Sequence, residues 1–301
     1  MASLSSLASQ KIVVWQENYN DPFILQSLQN IASLASSELG DYEFVASKKM
    51  NASEAFKALE AGNIDLFVGG INSNREVNAT PVYVPLDRGL LGYRICLTNK
   101  NKPLNVSFQT PMHVIQESIS VGILENLIDT KVYQENGFKV SSGKSYSSLA
   151  NMLKNQVFDC FSRSINEINL EALSLQVQKE DRKLIEIDNK MIFIYPSANF
   201  IFTNSSNKML HGGLSIGIGR AIENDSYFSI FNKHYANILL KHGIYERKLI
   251  FMSNYDMSYQ ALSAINRFGI ASFHHPASAI QTERYLDKTE LRLSGNSNAS
   301  P

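Results

Sequence analysis

The sequence is poor in several things that would narrow its role at once. Among 301 residues there are only two cysteines, Cys96 and Cys160. They lie far apart in apolar, strand-like segments, so buried free thiols are expected rather than a disulfide or a zinc site. No apolar run approaches the ~18 residues that a bilayer-spanning helix needs. An excess of one charge is missing too: 28 basic residues balance 28 acidic ones, so net charge offers no hold on nucleic acid or an anionic membrane. His113, His211, His234, His242, His274 and His275 are scattered without metal-ligand spacing. Catalytic signatures are lacking: there is no G-x-S-x-G, H-E-x-x-H, dinucleotide fingerprint or phosphate-loop lysine. GLSIGIG is glycine-rich, but the KMLH before it supplies no strand to launch a phosphate loop. No cofactor and no metal are expected.

What remains is an ordinary globular composition, 44% hydrophobic and 19% charged, in a chain long enough for two domains. KIVVW reads as a first strand, and Ile24, Leu28, Ile31 and Leu34 follow at helical spacing. Tyr42–Ala46 reads as a strand, Ser53–Glu60 as a helix and Ile64–Val68 as a strand stopped by Gly69-Gly70. This β-α-β-α-β order predicts a mostly parallel sheet covered by helices. KPLNVSFQTP, polar and carrying two prolines, reads as linker. A second α/β run follows: SVGILE, the helix NLIDTKVYQENG, FKVSSG, a helix from Ser147 to Asn155, VFDCFSRS, a helix from Ile165 to Leu173, then LIEI and MIFIYP. The end is helical again. There Gly212, Gly213, Gly217 and Gly219 weaken a helix unless it packs tightly on a neighbour.

In α/β sheets ligands gather at the carboxyl ends of the strands. Glu17, Tyr19, Asn20 and Phe23, after the first strand, offer aromatic surface and polar groups there. Gly70, Ser73 and Arg75 follow the glycine-ended strand, where a guanidinium can grip a carboxylate in a bidentate fork. A surface pair of Arg75 with Glu76 or Asp87 is the plainer alternative. In the second run Glu125 closes VGILE, while Asp159, Arg163 and Glu167 surround the end of VFDCF. Arg163 and Glu167 can also form an ordinary helical ion pair.

Taken in order, KIVVWQENYNDPF, FKALEAGNIDLFVGG with Arg75, PVYVPLDRGLLGYRICLTN, VGILE, SYSSLANMLKNQVFDCFSRS and LHGGLSIGIGRAIENDSYFSIFNKHY resemble the bacterial extracellular solute-binding proteins of family 3, the polar amino-acid-binding type, over residues 11–254. The resemblance implies a type II periplasmic binding fold, α/β and two-lobed with two inter-lobe crossovers. Residues 1–10 would be a flexible N-terminus, 11–98 and 203–260 lobe 1, 99–202 lobe 2, and 261–301 a partly disordered extension, with hinges near Thr98 and Thr203. It also implies that Arg75 holds the ligand's carboxylate. Two departures stand out: the turn before Arg75 is short, with Ser73 where threonine is usual, and SRS replaces the acidic residue that would meet an ammonium group. Arg163 there favours an anionic or neutral ligand.

Such a protein performs no chemistry. It captures a small polar solute in an inter-lobe cleft and presents it to an ABC-type membrane permease or a sensor, as a monomer in the periplasm. MASLSSLASQ lacks the basic head and apolar core of a secretory leader, which leaves a cytoplasmic location as the alternative. An enzyme on the same fold using Glu17, Asp159 and Glu167, a sensory module and a vestigial binding protein are the competing readings.

Overall fold

The computed structural model describes residues 10–125, 129–168 and 184–273. They fall into two compact units: residues 10–88 with 199–234, and residues 89–198 with 235–273.

In chain order the described elements are β1 (Gln10–Val14), α1 (Gln16–Asn20), α2 (Pro22–Leu34), α3 (Ser36–Leu39), β2 (Tyr42–Ala46), α4 (Ala52–Glu60), β3 (Leu66–Gly70), α5 (Ser73–Asn78) and β4 (Thr80–Val82). There follow β5 (Tyr93–Asn99), α6 (Met112–Ser118), β6 (Ser120–Leu124), α7 (Asp129–Glu135), β7 (Lys139–Gly143), α8 (Tyr146–Lys154), β8 (Cys160–Ser164), β9 (Ile185–Ile187) and β10 (Met191–Ile194). The return is β11 (Asn199–Thr203), α9 (Lys208–Glu223), α10 (Ser226–Lys241), β12 (Lys248–Phe251) and α11 (Tyr259–Phe268).

The first unit is built on a sheet ordered β2-β1-β3-β11-β4. β1, β2 and β3 run parallel, and β11 returns antiparallel to β3 and β4. Helix α2 starts sharply because the Asp21 carboxylate accepts the amide hydrogens of Phe23 and Ile24 and Pro22 has the φ that a first turn needs. Its Leu28 and Ile31 face inward onto α9. Two of the α9 glycines let the helices approach: a Cβ on Gly213 would meet Leu39 at 2.1 Å, and one on Gly217 would meet the Ile31 carbonyl at 2.2 Å. Gly212 and Gly219 face no atom within 4 Å, so the packing compensation holds at two of the four positions.

The second unit has a sheet ordered β12-β10-β5-β8-β6-β7, with β9 also on β5. Strands β6, β7 and β8 are parallel; β5 is antiparallel to β8 and to β10. Ile115, Val121, Ile123, Phe138 and Phe193 fill its core together with both cysteines. These are two α/β units with mixed sheets and crossing connections, the type II periplasmic-binding-protein-like architecture.

Several expectations need correction. Cys96 and Cys160 form a disulfide, with Cα atoms 5.0 Å apart. The antiparallel register sets Cys96 opposite Ser162, two residues along β8 from Cys160 and on the same face. Gly69 and Gly70 are the last two residues of β3, paired with Phe200 and Asn199, so the strand ends at Gly70 and not at Val68. YRICLTN is a central strand of the second sheet, and Lys248–Phe251 pairs with β10 there, so both segments leave the first lobe. Thr98 pairs with Glu186 inside the second unit, and Thr203 with Leu66 and Thr80 inside the first, so neither stands where the chain passes from one unit to the other. Residues 261–268 belong to the amphipathic α11, which buries Ala261, Leu262 and Ile265. The expected N-terminal arm up to residue 9, the helix beyond Ile168, His274, His275 and the tail lie outside the described residues.

Candidate functional site

In the first unit the carboxyl edge of the parallel strands is assembled from the ends of β1 and β3. After Val14 the chain turns into α1, so the β1 backbone can no longer pair with β3 beyond Leu66. The Asn18 carboxamide takes over: it donates to the Val68 carbonyl at 3.0 Å and accepts the Val68 amide hydrogen at 2.8 Å. A buried side-chain amide thereby replaces one peptide unit of the ladder and leaves no orphaned backbone group. Trp15 stacks on Phe67 with ring centroids 5.1 Å apart, and its indole N–H donates to the Met50 carbonyl.

Arg75 is held over the same aromatic floor. Asn72 caps α5 by accepting the Arg75 amide hydrogen. The guanidinium carbon lies 5.0 Å from the Phe67 ring centre and 5.2 Å from that of Phe56. Gly69 makes this possible, because a Cβ there would strike the Phe67 ring at 2.5 Å and approach Arg75 Nη1 at 3.2 Å. Nη1 donates to the Gly70 carbonyl. No carboxylate among the described residues lies within ion-pair reach of this arginine: Glu76 accepts from the Tyr83 hydroxyl and Asp87 accepts from Asn199. Burial therefore pushes the Arg75 guanidinium down to about 10, still cationic at neutral pH. Burial and then the neighbouring Glu76 push the Tyr83 phenol up to about 12.

The other expected residues of this edge divide. Glu17 and Asn20 are exposed and Tyr19 half-buried on α1, and Ser73 is exposed at the start of α5. Phe23 is buried and packs edge-on to Phe231 and His234, so it is committed to the core between α2 and α10.

In the second unit Glu125 is exposed just past β6. Arg163 is only 3% exposed, its carbon 4.6 Å from the Tyr146 ring centre, with Nη2 donating to the Tyr146 hydroxyl and to Glu167 at 3.3 Å. The expected Arg163–Glu167 pair is present, formed from a strand end across a turn and not along a helix. Asp159 stands apart. It precedes β8 and accepts from the Ser120 amide and hydroxyl at the start of β6, and from Lys102 at 2.7 Å. That is the amino edge of these parallel strands, about 13 Å along β8 from Arg163, so it stays away from the edge where ligands gather.

Sequence reasoning missed a buried network at the carboxyl edge of the second sheet. Arg94 Nη2 donates to Asp129 at 2.6 Å, the Tyr195 hydroxyl donates to the other Asp129 oxygen at 2.8 Å, and Tyr133 bonds Ser162 at 2.7 Å. The signal was available: a lone arginine inside the apolar strand YRICL requires a buried acid. Among the described residues no cluster of three or more His, Cys, Asp or Glu side chains is arranged to hold a metal ion, and no helix is long and apolar enough to cross a membrane.

No protein-family model and no curated protein matches the chain. Solved structures similar to it include an ancestral arginine-binding protein bound to arginine (16% identity, 75% of this chain and 98% of that one, TM-score 0.49). Others are the arginine-, lysine-, histidine-binding protein ArtJ from Geobacillus stearothermophilus (15%, 75% and 96%, 0.49) and a histidine kinase sensor domain with similarity to periplasmic binding proteins (13%, 75% and 96%, 0.49). The ligands and roles named are those proteins' own.

Proposed function

We propose that the chain is a solute-binding protein that takes a small, carboxylate-bearing molecule at the carboxyl edge of the first unit's sheet, anchored by Arg75. The carrying observation is the arginine itself: a half-buried guanidinium on two phenylalanine rings, with one backbone carbonyl as its acceptor and, among the described residues, no carboxylate beside it. Such a cation is poorly compensated in the free protein, and an anionic ligand offsets its desolvation. The exposed Ser73 hydroxyl and the Glu17 and Tyr19 side chains border the same edge.

In the second unit Asp159 is tied to Ser120 and Lys102, Asp129 to Arg94 and Tyr195, and Glu167 to Arg163. At the first unit's own edge the exposed Glu17 is the acid available to an ammonium group, so α-amino acids and organic acids both suit the Arg75 anchor. The buried disulfide favours an oxidising compartment, the periplasm or its equivalent. There the protein would serve a membrane permease or a sensor.

Calorimetric titration with amino acids, dicarboxylates and short peptides tests this reading. Binding confined to carboxylate-bearing compounds and weakened at least ten-fold by Arg75→Met supports it. An organic-acid ligand whose affinity is unchanged in Arg75→Met would sink the assignment of the anchor.

A further inference from the structure

The second unit carries a pocket of about 390 Å³ that the solute-binding reading does not use. Its position follows from strand direction. β10 is antiparallel to β5, which is antiparallel to β8, so β10 runs with β6 and β8. The pocket is lined by Asn189 and Lys190, just before β10, and by Arg247, just before β12. It therefore opens at the amino edge of this sheet, opposite the edge that carries Glu125 and Ser164.

Its floor is Arg247, only 5% exposed. The guanidinium Nε donates to the His242 carbonyl at 2.7 Å, and Nη1 donates to the carbonyls of Asp188 at 2.6 Å and Met191 at 3.2 Å. Nη2 has no acceptor among the described residues. The nearest carboxylate oxygen, on Asp188, is 4.0 Å from Nη1 and already accepts the amide hydrogens of Lys190 and Met191. Burial draws the Arg247 pKa down, and Asp188 opposes this only in part.

Two more cations, Lys190 and Lys241, stand at the rim, against one lining carboxylate, Glu246. His242 adds no charge at neutral pH, since burial and the adjacent Arg247 push its pKa down to about 4. The carbonyl end of α10 points here as well, but Arg247 already caps the His242 carbonyl and offsets that negative pole. The remaining wall, Val106, Ser107, Phe108, Asn189 and Gly243, mixes apolar and polar groups and is tied in place. Phe108 is 62% exposed at the lip, Lys248 Nζ donates to its carbonyl at 2.9 Å, and Lys190 Nζ donates to the Leu104 carbonyl at 2.5 Å.

A pocket of this size, lined by three basic side chains and one exposed aromatic ring, falls in the size range of small-molecule sites. We infer that it binds a small organic anion, one with a phosphate or clustered carboxylates joined to a short apolar body that lies against Phe108. This site is separate from that of Arg75 and does not depend on it.

Titrations of the full chain with pyrophosphate, citrate and phenyl phosphate at constant ionic strength test the inference. Saturable binding is expected for at least one of them, weakened ten-fold or more in Lys190→Ala/Lys241→Ala and unchanged in Arg75→Met. The double variant also loses the Lys190 bond to the Leu104 carbonyl, so Lys241→Ala alone is the control: it should weaken binding while its circular-dichroism melt matches the parent, since Lys241 is exposed. Phe108→Ala should weaken phenyl phosphate more than pyrophosphate. Heats that vanish once ionic strength is matched, equal affinity in the double variant, loss of binding in Arg75→Met, or binding of an acidic peptide alone would each overturn it.

Discussion

Arg75 and Arg94 are both arginines drawn out of water, one in each unit, and they respond in opposite directions. Burial lowers the pKa of both guanidinium groups, but beside Arg94 the Asp129 carboxylate reverses the effect and holds the charge well above the ordinary arginine range. Arg75 has no such acid among the described residues, and its pKa stays depressed. The same side chain is thus a structural strut where the fold supplies the counter-charge and, under the proposed function, a receptor group where it does not. The backbone explains the difference: Arg94 projects from a central strand flanked on both sides, whereas Arg75 rides on a short helix beside a strand end.

The contrast can be broken from the Arg94 side with the largest effect. Asp129→Ala strands a buried guanidinium and removes the acceptor of Tyr195, so it should cost about 3–5 kcal/mol in denaturant titrations. Asp129→Ala with unchanged stability would show that Arg94 and Arg75 do not differ in this way. Next comes the staple that only the second unit possesses. Cys96→Ser/Cys160→Ser, or reduction after partial unfolding, should lower stability by about 2–4 kcal/mol, the range for a disulfide. Tryptophan fluorescence from Trp15, which belongs to the first unit, should move less than far-ultraviolet circular dichroism.

Arg75→Met sharpens the comparison from the other side: solute affinity should fall by about 2 kcal/mol, while the melting temperature of the free protein stays level or rises. A clear drop in melting temperature would mean that Arg75 is a strut after all. The smallest effect concerns acid. The Asp159 pKa is lowered: burial acts to raise it, and the bonds from Lys102 and Ser120 outweigh burial. Its contribution is therefore fully present above about pH 4, the unfolded value, and is lost as pH falls through the depressed folded value. Asp159→Asn should flatten the acid limb of a stability profile and leave the neutral limb parallel to the parent. An acid limb of unchanged slope would remove Asp159 from that balance.

Much of the fold was legible because its signals are local. The apolar spacing of Ile24, Leu28 and Ile31 and the order of strands and helices identify an α/β chain with two successive units. Where the units divide was less visible, since it depends on which strands pair across long sequence distances. YRICLTN looks like any buried strand until Arg94 pairs with Ser164 and Phe193. The disulfide was hidden for the same reason, a register that composition does not encode. At the candidate site, the glycines before Arg75 drew attention to it and its ligand role is a proposal, whereas Phe23 and Asp159 were misplaced because an aromatic or acidic residue near a strand end can serve packing or a turn equally well.

The carboxamide of Asn18, standing in for a peptide unit at Val68, has a mechanical consequence. It clamps α1 to the neighbouring strand by two hydrogen bonds rather than leaving it as a loop that settles only when a guest arrives. Glu17 and Tyr19 are thereby held in position in advance, so recognition at this edge should be fast and nearly rigid, with little of its binding strength lost to quieting a mobile segment.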